Sequence, residues 1–167
     1  MDQKQQALRE LRFLVTQKCN YKCVFCHGEG LQTIKDDLLT PEDIRFIYSV
    51  GRKSFGITTA TLTGGEPLVR SDIVDIANEL KKEFCNITIT TNGSLLGRCM
   101  HVGNYIKCIN FSIHTLKCKE YEEIVQRQNV FHQMIFNLKK IQSHIPGCWN
   151  MSQCCSCRRC KFFWRRA

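Results

Sequence analysis

Three cysteines fall within eight residues near the start of the chain, at Cys19, Cys23 and Cys26. Their CxxxCxxC spacing can bring three thiolates to three irons of a [4Fe–4S] cluster. Most such clusters take four cysteines, so three leave one iron open to an outside ligand, which suits catalysis better than electron carriage alone. A zinc site closed by a fourth ligand such as His27 is the alternative. From the cysteines alone, the cluster is favoured over zinc.

Three further motifs combine small and polar residues that could bind a ligand: Gly64-Gly65-Glu66-Pro67, Thr90-Thr91-Asn92-Gly93 and Phe111-Ser112-Ile113-His114. Each alone has an ordinary structural explanation. The first two are typical of turns, and a single histidine is more often structural than catalytic. Their significance depends on whether the fold brings them together.

The elements that carry these motifs alternate between strand and helix. Strands are predicted at 11–16, 57–62, 86–90 and 109–113. A helix is predicted to begin after the Thr40 cap and to end near Gly51, a second to follow Ser71-Asp72, and a third to span 120–141. This alternation predicts an α/β fold of parallel β-α units with right-handed crossovers. In such sheets ligands bind beyond the carboxyl ends of the strands, where all the motifs lie.

The composition excludes several classes of protein. The 167 residues are 43% hydrophobic and 23% charged, which fits one folded domain rather than a disordered chain. No apolar run reaches the roughly 18 residues of a membrane span, and the polar start resembles no secretory signal, so a cytoplasmic location is expected. Twelve cysteines in such a chain indicate metal or redox chemistry before disulfides. Much of the net charge of +9 comes from the basic end, which makes nucleic acid an unlikely partner.

The motifs as a set resemble the radical S-adenosylmethionine (radical SAM) superfamily, because they occur in the family's order and each follows a predicted strand. The resemblance covers about residues 11–147 and implies a partial (β/α) TIM-like barrel of about four β-α units. The branch that contains the GTP 3′,8-cyclase of molybdenum-cofactor synthesis is the most similar in style. It shares the Leu-Arg-x-x-Val-Thr strand and the Thr-Gly-Gly-Glu-Pro-Leu-x-Arg run.

The resemblance implies an enzyme with two cofactors. Cys19, Cys23 and Cys26 would bind a [4Fe–4S] cluster, which would cleave S-adenosylmethionine reductively to a 5′-deoxyadenosyl radical that abstracts a substrate hydrogen. An electron donor such as flavodoxin or ferredoxin is an implied partner. Seven residues would bind S-adenosylmethionine, with Phe25 beside the adenine and the glycines giving the cofactor access to the backbone: Phe25, Gly64, Gly65, Glu66, Thr91, Asn92 and Ser112.

The substrate is a small molecule that the sequence does not identify. In the cyclase branch a basic residue two positions before Thr-Gly-Gly helps to hold the nucleotide triphosphate. Thr61 occupies that position here and offers no charge. Arg12 and Arg70 fit an anion-binding pattern, although each is equally compatible with a solvated surface arginine. A nucleotide such as GTP is therefore a candidate.

The end of the chain departs from the family pattern. Residues 1–147 are predicted to form the incomplete barrel and 148–167 a Cys- and Arg-rich tail, aberrant or disordered, with no fifth strand. Two alternatives to an active radical SAM domain stay open. One is a truncated, catalytically incomplete radical SAM protein, and the other is a zinc-binding module whose basic tail binds nucleic acid.

Overall fold

The computed structural model describes residues 9–26, 37, 39–98, 105–144 and 149–152. Five parallel strands form one sheet in the order β1-β2-β3-β4-β5. The strands are β1 (Glu10–Thr16), β2 (Thr59–Gly64), β3 (Asn86–Thr91), β4 (Ile106–Ser112) and β5 (Trp149–Ser152). Sequential order with parallel pairing is the arrangement of an opened (β/α) barrel, which confirms the predicted fold class.

In the described part of the chain, the α-helices with assigned bounds are α1 (Pro41–Phe55), α2 (Ile73–Lys82), α3 (Cys118–Val125) and α4 (Phe131–His144). Residues 96–98, between β3 and β4, are also helical. A short 3₁₀ turn (Pro67–Val69) lies between β2 and α2. The predicted capping of α1 is confirmed, because the Thr40 hydroxyl accepts from the Asp43 amide and the Asp43 carboxylate accepts from the Thr40 amide.

Two helix predictions were wrong. The first helix continues past Gly51 to Phe55, where Gly56 ends it at φ 68°. Gly51 lies inside the helix, and its lack of a side chain makes room for Leu11, whose Cδ1 would be 2.7 Å from a Cβ at this position. The predicted helix 120–141 is two helices, since Gln126 (φ 51°) ends α3 in the left-handed conformation.

The absence of a fifth strand was also predicted wrongly. β5 (Trp149–Ser152) pairs in parallel with β4, placing Asn150 beside Asn110 and Ser152 beside Ser112. The sheet therefore continues beyond the predicted domain boundary at 147. Four residues carry too little alternation of polar and apolar side chains to indicate a strand without its neighbour. Residues 153–167 and their cysteines lie outside the described part of the chain.

The two faces of the sheet differ in chemistry. One face carries a row of apolar residues in register, Phe13, Leu62, Ile89 and Ile109, and α1 and α2 cover it with Ile44, Tyr48, Ile73 and Leu80. The other face, here called the opposite face, carries the register rows Arg12–Thr61–Thr88–Cys108 and Thr90–Asn110. The apolar face supplies the core, and the opposite face offers neutral hydrogen-bonding groups beside its one arginine.

Within the described residues, no helix has the length and apolar character to cross a membrane.

Candidate active site

The segment that carries the three cysteines, residues 17–26, is here called the cysteine loop. It follows β1 and is fastened to the end of α3 by backbone hydrogen bonds. The Lys22 amide donates to the Val125 carbonyl (3.2 Å), and the Val24 amide donates to the Ile124 carbonyl (2.9 Å). These are carbonyls at the end of a helix, which lack partners within it. The Arg127 guanidinium adds a bond to the Asn20 carbonyl (3.0 Å).

The three thiols face a common region but differ in exposure. Cys19 and Cys23 are half-buried and Cys26 is exposed. Burial, reinforced by the neighbouring Cys19 and Cys26, raises the pKa of Cys23 to about 11, and burial raises that of Cys19. Raised pKa values keep Cys19 and Cys23 protonated when no metal is bound, and metal cations would favour their thiolates by compensating the negative charge.

Three thiols are a donor set that a [4Fe–4S] cluster can take. Among the described residues, no three His, Cys, Asp or Glu side chains lie close enough to share one metal ion. Zinc would draw its sulfur ligands to about 2.3 Å from one centre, whereas in a cluster separate irons take the thiolates. His27, the proposed fourth zinc ligand, lies outside the described residues.

The two glycines at the end of β2, Gly64 and Gly65, pack against the start of the cysteine loop. The Gly65 amide donates to the Thr16 carbonyl (2.9 Å), and the Glu66 amide donates to the Lys18 carbonyl (2.9 Å). A Cβ on Gly64 would lie 2.2 Å from the Thr16 carbonyl oxygen, and one on Gly65 would lie 2.4 Å from that of Lys18. The absence of side chains thus allows two strand ends to meet. The sequence prediction gave these glycines a different role, access of the cofactor to the backbone, which stays a prediction.

Glu66 joins the ends of β2 and β3 through a buried carboxylate. Its Oε1 accepts from the Leu68 amide (3.1 Å) and the Thr91 hydroxyl (2.8 Å), and its Oε2 accepts from the Asn92 amide (2.7 Å). The residue is fully buried, and burial raises the pKa of its carboxyl despite the three hydrogen bonds. Glu66 therefore fixes Thr91 and Asn92, two of the predicted cofactor-binding residues, relative to β2.

The buried carboxylate predicts a pH-dependent effect of Glu66→Gln. Because the folded-state pKa is raised, the folded chain binds the proton more tightly than the unfolded chain does. The contribution of Glu66 to stability is therefore full below its ordinary pKa and is lost as the pH rises through the folded value. We expect the free energy of unfolding of the parent, relative to Glu66→Gln, to fall as the pH rises above about 4.5, the ordinary carboxyl value, and through the raised folded-state pKa. Urea denaturation of the apo chains across this range tests it, and a difference independent of pH would contradict it.

Asn92 belongs to a closed ring of hydrogen bonds with Asn20 and Ser94, here called the amide ring. Asn92 Nδ2 donates to Asn20 Oδ1 (2.9 Å), Asn20 Nδ2 donates to Ser94 Oγ (2.8 Å), and Ser94 Oγ donates to Asn92 Oδ1 (2.6 Å). The ring connects the cysteine loop to the turn after β3. Asn137 on α4 supports that turn by donating to the carbonyls of Gly93 (3.0 Å) and Ser94 (3.1 Å).

The end of β4 meets the cysteine loop through an aromatic contact. The rings of Phe25 and His114 lie 4.2 Å apart between centroids at an angle of 57°. His114 is buried, and burial lowers its pKa, which keeps the imidazole neutral near pH 7. Ser112 is half-buried at the end of β4, where Ser152 is its neighbour in the sheet. Every predicted site residue thus lies at or just beyond the carboxyl end of a strand.

The two candidate anion-binding arginines have other surroundings. Arg70 is a buried structural residue, so its interpretation as a surface or anion-binding group was wrong. Its guanidinium donates to the Val15 carbonyl (2.6 Å), to the Leu39 carbonyl and to the Asp72 carboxylate (2.6 and 3.0 Å). Arg12 is exposed on the opposite face and pairs with Glu10 (3.0 Å). Thr61 is buried within the same register row.

Comparison with known proteins places these features in a family. The family described as the radical SAM superfamily matches residues 13–152, which run from within β1 to the end of β5 and include all three cysteines. The chain belongs to the radical SAM superfamily. A solved structure with a similar fold is Streptococcus suis SuiB bound to S-adenosylmethionine (TM-score 0.67, 23% identity, covering 87% of this chain and 33% of that one).

Curated relatives of this radical SAM chain carry the name Probable GTP 3′,8-cyclase. The relative from Pyrobaculum aerophilum is 42% identical over 120 residues, which are 71% of this chain and 38% of that protein. The relative from Methanocaldococcus jannaschii is 36% identical over 138 residues, which are 80% of this chain and 45% of that protein. The chain therefore spans less than half the length of these relatives.

Sequence reasoning missed the residues that hold the site together. Asn20, Ser94, Asn137 and Arg70 make the connections between its segments, yet none of them was a candidate in these roles. Asn20 directly follows a cysteine ligand candidate, and Ser94 directly follows the Thr-Asn-Gly motif, so adjacency was the available signal. Asn137 had a second signal, since it is a polar residue on a helix whose neighbours Met134 and Leu138 pack on the core.

Proposed function

We propose that this chain is a radical SAM enzyme domain whose [4Fe–4S] cluster is held by Cys19, Cys23 and Cys26. The observation that carries the proposal is the convergence of the three thiols with the ends of β2, β3 and β4 in a member of this superfamily. When bound and reduced, the cluster supplies the electron that cleaves S-adenosylmethionine to methionine and a 5′-deoxyadenosyl radical, which abstracts a substrate hydrogen atom.

The chain's own residues would bind and orient these groups. Two thiols are half-buried, which limits access of water to the iron they would hold. Phe25 packs on His114 at the end of β4, so its ring is fixed where an adenine could stack. Glu66, with its three hydrogen bonds, holds the segment that would meet the methionine amino group. Ser112 and Thr91 would complete the pocket at neighbouring strand ends.

The test is anaerobic reconstitution of the purified chain with iron and sulfide, followed by S-adenosylmethionine and a reductant, with 5′-deoxyadenosine as the measured product. We expect product from the parent and none from Cys23→Ala. Cys118→Ala is the matched control, since Cys118 is also a half-buried free thiol but lies at the start of α3. A cluster without product from the parent would favour the catalytically incomplete alternative, and zinc in place of iron and sulfide would favour the zinc-binding module.

GTP cyclisation is the finer candidate, and the names of the curated relatives favour it. The opposite face is less supportive, because its described rows hold threonine, asparagine and cysteine beside the single ion-paired Arg12. Adding GTP to the same assay tests the candidate. If GTP is the substrate, it is consumed and the rate of 5′-deoxyadenosine formation rises above the substrate-free rate. Radical formation that GTP leaves unchanged would exclude GTP and leave the radical chemistry intact.

We propose a soluble electron donor of the flavodoxin or ferredoxin type as the partner that reduces the cluster. The exposure of Cys26 supports this, because it brings one edge of the cysteine loop to the surface. A donor-dependent rate that saturates with flavodoxin concentration would support the proposal.

A further inference from the structure

We propose that the amide ring is a positioning device: it sets how S-adenosylmethionine engages the cluster, while the cluster itself assembles without it. The inference rests on the proposed function and assigns a role to Asn20 and Ser94. Asn92, predicted to touch the cofactor, becomes a positioning residue as well.

The ring is separate from the contacts that hold the cysteine loop in place. Lys22, Val24 and Arg127 connect the loop to the end of α3 through bonds to or from backbone atoms, which side-chain truncation of Asn20 leaves intact. The amide ring is directed elsewhere, from Asn20 to the turn after β3. Loss of the ring would therefore break the connection between the cysteine loop and the turn after β3, whereas the loop would stay attached to α3.

The ring's chemistry is consistent with positioning. Asn92 Oδ1 accepts from both the Ser94 amide (2.9 Å) and the Ser94 hydroxyl (2.6 Å), which uses both acceptor sites of that oxygen. Every bond of the ring joins neutral groups that are part-buried. The arrangement is thus built to hold a distance between two segments, and it brings no charge to the cofactor.

The turn that receives the ring is itself rigid. Asn137 fixes the carbonyls of Gly93 and Ser94, and Gln133 in turn donates to Asn137 Oδ1 (2.9 Å). Glu66 holds the amide of Asn92 from the other side. Because α4 and β2 hold the turn in place, the ring can fix the position of Cys19, which directly precedes Asn20, relative to the end of β3. Hydrogen bonds that orient metal ligands change metal affinity or activity about 10–100-fold when removed, and we expect an effect of similar size on S-adenosylmethionine binding from the amide ring.

The experiment uses Asn20→Ala and Ser94→Ala in the reconstituted chain. Asn86→Ala is the matched control, since Asn86 is half-buried at the other end of β3. Ser94→Thr is the conservative variant, since it retains a hydroxyl. Three quantities are measured: iron and sulfide per chain, the electron paramagnetic resonance spectrum of the reduced cluster with and without S-adenosylmethionine, and the Kd of S-adenosylmethionine by equilibrium dialysis.

We expect both alanine variants to hold the parent's iron and sulfide and to give its spectrum without S-adenosylmethionine. Their Kd should rise about tenfold or more, and the spectral change on adding S-adenosylmethionine should shrink. Ser94→Thr and Asn86→Ala should match the parent. Lower iron content with an unchanged Kd per loaded cluster would overturn the inference, since it would indicate a purely structural role, and so would an unchanged Kd at full loading. A parent that holds a cluster but does not bind S-adenosylmethionine would overturn the proposed function instead, and the inference with it.

Discussion

Replacing Gly64 with alanine is expected to lower the free energy of unfolding by about 3 kcal/mol or more and to abolish loading of the cluster. Two costs add at this position. The backbone has φ 127°, which side chains other than hydrogen rarely tolerate, and the new Cβ would lie 2.2 Å from the Thr16 carbonyl oxygen. That oxygen belongs to the last residue of β1, so relief of the clash must shift the start of the cysteine loop. Urea denaturation and iron content after reconstitution measure the two effects.

Substitutions at two other glycines measure the backbone strain and the steric clash separately. Gly56 has φ 68° and open space around a Cβ, so Gly56→Ala should cost about 1 kcal/mol from backbone strain alone. Gly97 has open space and no positive φ, so Gly97→Ala should change stability by less than about 0.5 kcal/mol. If Gly64→Ala costs no more than Gly56→Ala, the close approach to Thr16 is not a constraint, and the explanation of the glycine pair is wrong.

Arg70→Met is expected to destabilise the chain by about 3 kcal/mol. The guanidinium side chain is 4% exposed and is the donor for the carbonyls of Val15 and Leu39, which a thioether cannot replace. Its ionic partner Asp72 is 33% exposed, so water can solvate that carboxylate after the substitution and keep the cost near the lower end of the range for buried pairs. The free energy of unfolding from urea denaturation is the measurement.

Arg12→Met is the matched control for this substitution. Arg12 lies on β1, the strand that carries Val15, with a side chain that is 72% exposed, and its ion pair with Glu10 is also exposed. Such pairs contribute little, so the same change should cost less than about 0.5 kcal/mol. Equal losses for the two variants would show that Arg70 does not fasten Val15 to Leu39.

The parts of the site that are formed by residues close together in the sequence could be predicted. Strand ends follow from runs of branched residues, and the CxxxCxxC spacing is a feature of eight consecutive residues. The connections were not predictable, because Asn20 meets Ser94 across 74 positions and Arg70 meets Val15 across 55. The break after α3 was missed because Gln126 adopts a left-handed conformation that its residue type does not indicate. β5 can be recognised only from its register with β4, because its own four residues do not indicate a strand.

The fastening of the cysteine loop to α3 also sets an order of events during synthesis. Asn20 and Arg127 are 107 positions apart in the sequence. The amides of Lys22 and Val24 can form their hydrogen bonds only after the carbonyls of residues 124 and 125 have been synthesised. The cysteines leave the ribosome early, yet the structure that orients them is complete only after α3 has followed. Iron and sulfide delivered before then would meet three thiols on an unformed loop. Cluster insertion should therefore follow synthesis of α3, and a nascent chain that stops before α3 should fail to retain iron.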